Sequence, residues 1–205
     1  LETFLSSTPY AEQPFPIKQL EYITRAYSYI GWNQNRDLFK SKMVRRALTM
    51  AIDRDRIIRQ SLNGLGILIH GTFYIFSPSN NPNIKPWPFD PIQAKKILAE
   101  EGWVDTDRDG IIDKDGKPFK FSLNYFVKNQ TTKAIAEYVQ TALKEIGIEV
   151  NLNGLDLADI SKQFEDKDFD ALMMAWALGS PPEDPRQLWH SSQADLKGSS
   201  NAIGF

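Results

Sequence analysis

The chain contains no cysteine, which excludes disulfides, thiolate metal sites and a cysteine nucleophile. The same absence is compatible with an extracytoplasmic protein. Histidine is scarce: only His70 and His190 occur, far apart in the sequence. A histidine-based metal centre or a Ser/His/Asp triad would depend on the fold bringing them in, and we read both as structural or exposed. No G-x-G-x-x-G and no other Gly-rich phosphate loop is present, so nucleotide chemistry is disfavoured. Ser180, in LGSPP, lacks the second glycine of a G-x-S-x-G elbow. No stretch approaches the roughly 20 apolar residues of a membrane span. The opening, LETFLSSTPYAEQPFP, lacks the basic and apolar regions of a secretion signal, and it has no initiating Met, so a piece of a longer protein is expected. A dominant charge is missing as well. With 24 basic and 26 acidic residues, a net charge of −2 and no long run of either sign, neither nucleic acid nor an anionic membrane surface is expected as a partner.

The rest of the chain is ordinary globular material: 205 residues, 41% hydrophobic, enough for one large domain or two small ones. Residues 1–21 carry Pro9, Pro14 and Pro16 with little periodicity and read as an extended connector. From Tyr22 to Trp32 aromatic and β-branched residues predict a strand, ended by the turn formers Asn33, Gln34 and Asn35. Val44, Ala47, Leu48, Ala51, Ile52 and Ile58 recur at helical spacing and predict one amphipathic helix over Lys42–Gln60, with Arg45, Arg46, Asp53, Arg54 and Arg56 mainly outside. A Pro-rich loop occupies 77–88. Asp90-Pro91 starts a helix and Gly102 stops it.

The second half alternates more regularly. Phe119, Phe121, Leu123 and Tyr125 mark a strand, and Thr131–Ile146 is a helix closed by Gly147. Ile148–Leu152 is a strand, Asp156–Phe164 a short helix, and an apolar strand starts at Phe169. This β-α-β-α-β succession predicts an α/β fold with largely parallel strands. The run from Ala171 to Trp176 has no polar face and reads as a strand covered on both sides. The residues beyond it lie at a strand's carboxyl edge, where open α/β sheets place ligands.

Three patterns have two readings each. In DTDRDGIIDKDG, residues Asp105, Asp107, Asp109 and Gly110 match calcium-loop positions one, three, five and six, and Asp113 matches position nine. Position twelve is Gly116 and a strand comes next, so a solvated turn leading into a hairpin or strand stands against a weak structural calcium site. Glu183 and Asp184 suit an acid and base pair, or a cap for a following helix through Gln187, Leu188 and Trp189. Trp176 suits either a flat apolar ligand wall or a core tryptophan.

Several segments together resemble the solute-binding proteins of peptide and nickel ABC importers. FKSKMVRRALTMAIDRDRII (39–58) is similar to that family's signature, and FDPIQAKKILAEEGW (89–103) to its Tyr-Asp-Pro…Gly-Trp helix. The Asp-Gly turn, LKEIGIEV, and FDALMMAW with its following EDP agree in order and spacing. The resemblance implies a periplasmic-binding-protein-like lobe, a mixed and largely parallel sheet flanked by helices. Residues 22–205 would form the C-terminal ligand-binding lobe of a two-lobed protein whose other lobe is absent. It implies no enzyme activity and no cofactor; the partners would be a peptide or other small solute and a membrane permease, met outside the cytoplasm. Ligand-facing positions would be Trp176, Ala177, Leu178, Gly179 and Ser180, with Tyr125, Thr131 and Asp184 nearby. Peptide binders of the family often carry an Asp three residues after the Trp to hold the peptide's amino group; here that position is Gly179. The competing class is a hydrolase on a similar sheet using Glu183, Asp184 and Ser180, and a third reading is a partner-docking lobe.

Overall fold

The computed structural model describes residues 21–179 and 184–205. Residues 1–20, which hold nearly all of the expected connector, and residues 180–183 lie outside the described part.

Strand β1 (Ala26–Trp32) opens the described chain and ends where Asn33 turns it. Helix α1 (Lys42–Met50) begins at Ser41, whose hydroxyl accepts from the amides of Met43 and Val44. The single helix expected over Lys42–Gln60 is in fact two, because α2 (Arg54–Ser61) restarts at Asp53. The Asp53 carboxylate accepts from the Arg56 amide at 2.8 Å, and its own N–H donates to the Tyr138 hydroxyl at 3.3 Å. A side chain that satisfies a free helical amide gives the backbone an alternative to continuing the first helix. The apolar period runs across this break because Ala51 and Ile52 are themselves buried. Arg45 and Arg46 are half-buried rather than solvated: Arg45 donates to the carbonyls of Phe39 and Lys40, and Arg46 stacks on Trp87 at 3.8 Å.

Helix α3 (Pro91–Glu100) starts as expected, with Asp90 accepting from the Gln93 amide, and the chain leaves it at Gly102 with φ +88°. A short hairpin of β2 (Asp113–Lys114) and β3 (Lys117–Pro118) is next. Then come β4 (Lys120–Phe126), α4 (Gln130–Lys144), β5 (Glu149–Leu155), α5 (Leu157–Asp166) and β6 (Ala171–Ala177). These are the predicted β-α-β-α-β elements, with Asn129 and Asp156 capping the two helices.

The main sheet has the order β1-β6-β4-β5. β4 is parallel to both β5 and β6, while β1 is antiparallel to β6 along its whole length, Ala26 opposite Ala177 and Trp32 opposite Ala171. Successive side chains of β4 point to opposite faces. Phe121, Leu123 and Tyr125 join α1, α3 and α4 in the larger core. On the other face Phe126 joins α5 and the C-terminal Ala202 and Ile203 in a smaller one.

The covering expected for β6 holds only at its start. Ala171 and Leu172 are buried, Met173 and Met174 half-buried, and Ala175 and Ala177 exposed. Pairing with β4 stops at Leu172, so the two strands part beyond it.

The return of β6 is tied to the end of β1 by Asn33, which is 0% exposed. Its side-chain amide donates to the carbonyls of Lys167 at 3.0 Å and Phe169 at 2.7 Å, and its oxygen accepts from the Asn35 amide. Replacing Asn33 with Ala removes the donor to the Lys167 carbonyl and leaves the Phe169 carbonyl with Arg36 alone. The Asn33→Ala protein is expected to lose roughly 1–3 kcal/mol of unfolding free energy, read as a lower urea midpoint at unchanged slope.

Candidate functional site

The carboxyl ends of β4, β5 and β6 gather at one end of the sheet, the end where open α/β sheets place ligands. The free side of β6 is set by hydrogen-bond parity. The Leu178 amide donates to the Arg25 carbonyl at 2.7 Å, extending the ladder with β1 by one hydrogen-bonded pair. Alternation then turns the backbone groups of Met173, Ala175 and Ala177 away from β1. Beyond Leu172 no strand among the described residues pairs with that side. The result is a notch between the diverging ends of β4 and β6, bordered by N–H and C=O groups.

Trp176 stands on the α5 face of this end and is half-buried. Its Nε1–H donates to the Tyr29 hydroxyl at 3.0 Å, and its ring meets Phe164 of α5 nearly edge-on with centroids 5.9 Å apart. It is thus both a packed residue and a partly open wall. Tyr27 packs against Tyr29 at 5.8 Å and is 9% exposed, yet its buried hydroxyl has no hydrogen-bond partner among the described residues. Burial pushes the Tyr29 phenol up to about 12. The Tyr27 phenol is pushed up further, first by burial and then by the neighbouring Tyr29.

Past the strand, a guanidinium N–H of Arg25 donates to the Gly179 carbonyl, and the guanidinium lies over the Tyr74 ring at 4.9 Å. Gly179 is exposed, with open space where a Cβ would stand. Asp184 is exposed and accepts from the Arg186 amide at 2.9 Å, just before α6 (Arg186–Trp189), whose N-cap is Pro185 with no side-chain capping bond. Ser180 and Glu183 lie outside the described residues.

Trp176, Ala177, Leu178 and Gly179 therefore form one continuous edge, and Tyr125 does not join it. Tyr125 is 6% exposed in the larger core, on the face opposite Trp176. A Cβ on Gly154, across from it on β5, would stand 3.0 Å from its hydroxyl oxygen, so a side chain there would require Tyr125 to shift by a few tenths of an ångström. Thr131 is exposed in the first turn of α4, at the same end of the sheet. Tyr27, Tyr29, Arg25 and Phe164 were not anticipated, although the period-two tyrosines of AYSYIGW were a signal for one shared face. A hollow of about 420 Å³ between α2 and α4, with Arg56, Phe89, Tyr138 and Glu145 on its walls, involves none of the expected positions.

The acidic loop divides as its sequence does. Asp105, Asp107 and Asp109 each present a carboxylate oxygen within 4.8 Å of the others. The same carboxylates accept from the loop's own amides: Asp105 from Arg108 and Gly110, Asp107 from Asp109, Asp109 from Ile111. Asp113 is held apart, bonded to the amide and hydroxyl of Thr106 at the start of the hairpin.

The chain belongs to the bacterial extracellular solute-binding proteins, family 5, whose middle-region model matches residues 3–197. It is 39% identical over 187 residues to the oligopeptide-binding protein AppA of Bacillus subtilis, covering 89% of this chain and 34% of that protein. It is 29% identical over 159 residues to the nickel-binding periplasmic protein of Escherichia coli, covering 75% and 30%. Among solved structures it resembles AppA in complex with a nonapeptide, with a TM-score of 0.85 over 90% of this chain and 37% of that one. It also resembles NikA of Brucella suis in complex with Fe(III)-EDTA, with a TM-score of 0.74 at 27% identity over 87% and 35%. The chain spans about a third of the length of these relatives. The fold is that of a periplasmic binding protein, a mixed sheet flanked by helices.

The two raised phenols set an alkaline limit. Each native phenol keeps its proton where the unfolded chain, titrating near 10, has lost it. Stability is therefore complete below 10 and falls as pH rises beyond it. Tyr27→Phe removes one such phenol and breaks no hydrogen bond. It is expected to leave stability at neutral pH unchanged or raised by up to about 1 kcal/mol. It should also shrink the loss of stability at high pH, checked by urea unfolding at neutral pH and above 10.

Proposed function

We propose that this chain is the ligand-holding lobe of an extracytoplasmic solute-binding protein that captures an oligopeptide-like solute and delivers it, chemically unchanged, to the membrane permease of an ABC importer. In this reading residues 22–205 form the C-terminal lobe of a longer two-lobed protein, and the solute lies between the lobes. The observation that carries it is the free side of β6, where the outward backbone groups of Met173, Ala175 and Ala177 border a notch. Backbone groups of that kind pair with an extended ligand as an added strand and tolerate varied side chains. The likeness to an oligopeptide-binding protein supports the solute class. Family membership supports the extracytoplasmic site, and no helix among the described residues is long and apolar enough to cross a membrane.

Side chains near the edge are consistent with readout by the backbone. Gly179 offers no carboxylate to hold a terminal ammonium, and its carbonyl is engaged by Arg25. No observation at Asp184 favours a hydrolase: it is exposed, and its carboxylate accepts from the Arg186 amide two residues on.

Two measurements test the reading. Mass spectrometry of the solutes retained by the gently purified full-length protein is expected to find peptides of varied sequence; a single metal chelate or sugar would redirect it. Ala177→Pro deletes an N–H that points away from β1 and leaves the ladder between β1 and β6 whole. In the full-length protein it is expected to weaken peptide Kd by roughly tenfold, the equivalent of one backbone hydrogen bond, with little change in thermal midpoint. Unchanged affinity would argue against pairing at this edge.

A further inference from the structure

We propose that Tyr29 is a positioning residue for Trp176: by accepting the indole N–H it turns the ring into an apolar wall, so that this subsite takes an apolar or aromatic side chain of the solute. The second half of this inference rests on the peptide reading above; the first half does not.

Indole has a single polar group, a donor with no acceptor capacity. A tryptophan at a ligand edge can therefore act in two ways. With its N–H free it selects an oxygen of the ligand; with its N–H bound inside the protein it offers only its apolar rim and face. Here the N–H is bound, to the Tyr29 hydroxyl at 3.0 Å. The geometry behind that bond comes from strand register. Trp176 stands opposite Tyr27, while Tyr29, opposite Met174, is its diagonal neighbour on the same face. Diagonal neighbours are too far apart for small side chains but within reach of two long aromatic ones.

The acceptor is a neutral hydroxyl across the neutral range, as any phenol is, and burial pushes the Tyr29 phenol up to about 12. Tyr29 is itself braced by Tyr27, whose ring centroid is 5.8 Å away. On its other flank the indole meets the Phe164 ring at 68°. Held by a hydrogen bond at its rim and a ring contact, Trp176 has one favoured orientation, and an ordered wall costs a ligand less than one that must be ordered on binding. The surface that the half-buried ring presents on the α5 face is hydrocarbon, which suits a leucine-like or phenylalanine-like side chain and leaves an amide or hydroxyl unpaired.

The test uses the full-length protein carrying ¹⁵N-labelled indoles, with the Trp176 resonance assigned by its disappearance in Trp176→Phe. In Tyr29→Phe the ring and its packing remain and only the acceptor is lost. The Trp176 indole N–H is expected to move upfield and to exchange several-fold faster with solvent. Tyr27→Phe, which removes an unpartnered hydroxyl on the same face, is the control and should leave that resonance in place. In parallel, binding is measured for nonapeptides that differ at one position, Leu, Phe, Ser or Gln, scanned along the peptide. At one position the unsubstituted protein should favour Leu or Phe over Gln by at least roughly tenfold. In Tyr29→Phe that ratio should fall several-fold as the freed N–H accepts a polar partner. An unmoved Trp176 resonance in Tyr29→Phe overturns the positioning role. A freed N–H with unaltered selectivity overturns the apolar subsite. If the unsubstituted protein retains none of the peptides, the peptide reading falls and the subsite with it, while the resonance still decides what Tyr29 does.

Discussion

The antiparallel pairing of β1 with β6 is the constraint on which the candidate site depends. It joins residues about 150 positions apart, with Tyr29 bonded to Trp176 and Arg25 to Leu178 and Gly179. A contact of that sequence separation carries a loop-closure cost that local contacts do not. Several interactions at both ends of the pairing offset it. At the Trp32 end, Asn33 joins the end of β1 to the turn before β6, and Arg36 adds bonds to the Phe169 carbonyl and the Asp168 carboxylate. At the Ala26 end, Arg25 closes over Gly179 and Tyr74. Between these two clamps β6 is fixed on one side only, and its other side is released where β4 turns away.

That one-sided fixation separates two tasks along a single strand. The first residues, Ala171 and Leu172, pair on both sides and bury their side chains, which anchors the strand in the core. The last residues keep the β1 ladder but have no second neighbour, so their polar backbone can serve a partner without loosening the core. The half-buried Trp176 sits at this transition. A fully buried tryptophan would contribute only packing, whereas a fully exposed one would have no fixed orientation; its bond to Tyr29 and contact with Phe164 hold it between those limits.

Much of the fold was legible because it is written in short-range pattern. Asp90-Pro91, Asn129 and Asp156 cap helices where the sequence places helix starts, and the alternation Phe119-Phe121-Leu123-Tyr125 gives β4 its core face. The errors have physical origins of a different kind. The break at Asp53 was hidden because burial continues through Ala51 and Ile52, so periodicity alone cannot tell a helix from two helices sharing one stripe. The apolar run of β6 suggested cover on both sides, but composition does not reveal where a neighbouring strand diverges. Tyr125 lies at the expected end of its strand but shares the core face of Phe121 and Leu123, as the alternation of β4 requires. The partners of Trp176 were out of reach for the same reason as the β1 pairing: nothing local to FDALMMAW specifies a strand roughly 140 residues earlier.

An open strand side is also a hazard, since unpaired N–H and C=O groups invite pairing with another sheet. The geometry limits that risk here. The free stretch is short, Met173 to Ala177, and it is recessed, because β4 continues to Phe126 on the far side of the notch and stays paired with β5. The edge of another sheet brings its own neighbouring strands and would meet the diverging β4, whereas a single extended segment needs no more width than one strand, about 4.8 Å. Small side chains at Ala175 and Ala177 add to this, since they leave room for a ligand backbone but supply little apolar area to stabilise a sheet dimer. In the proposed reading, the same recess that deters association admits one strand-like guest, and selectivity among such guests falls to the few side chains around it.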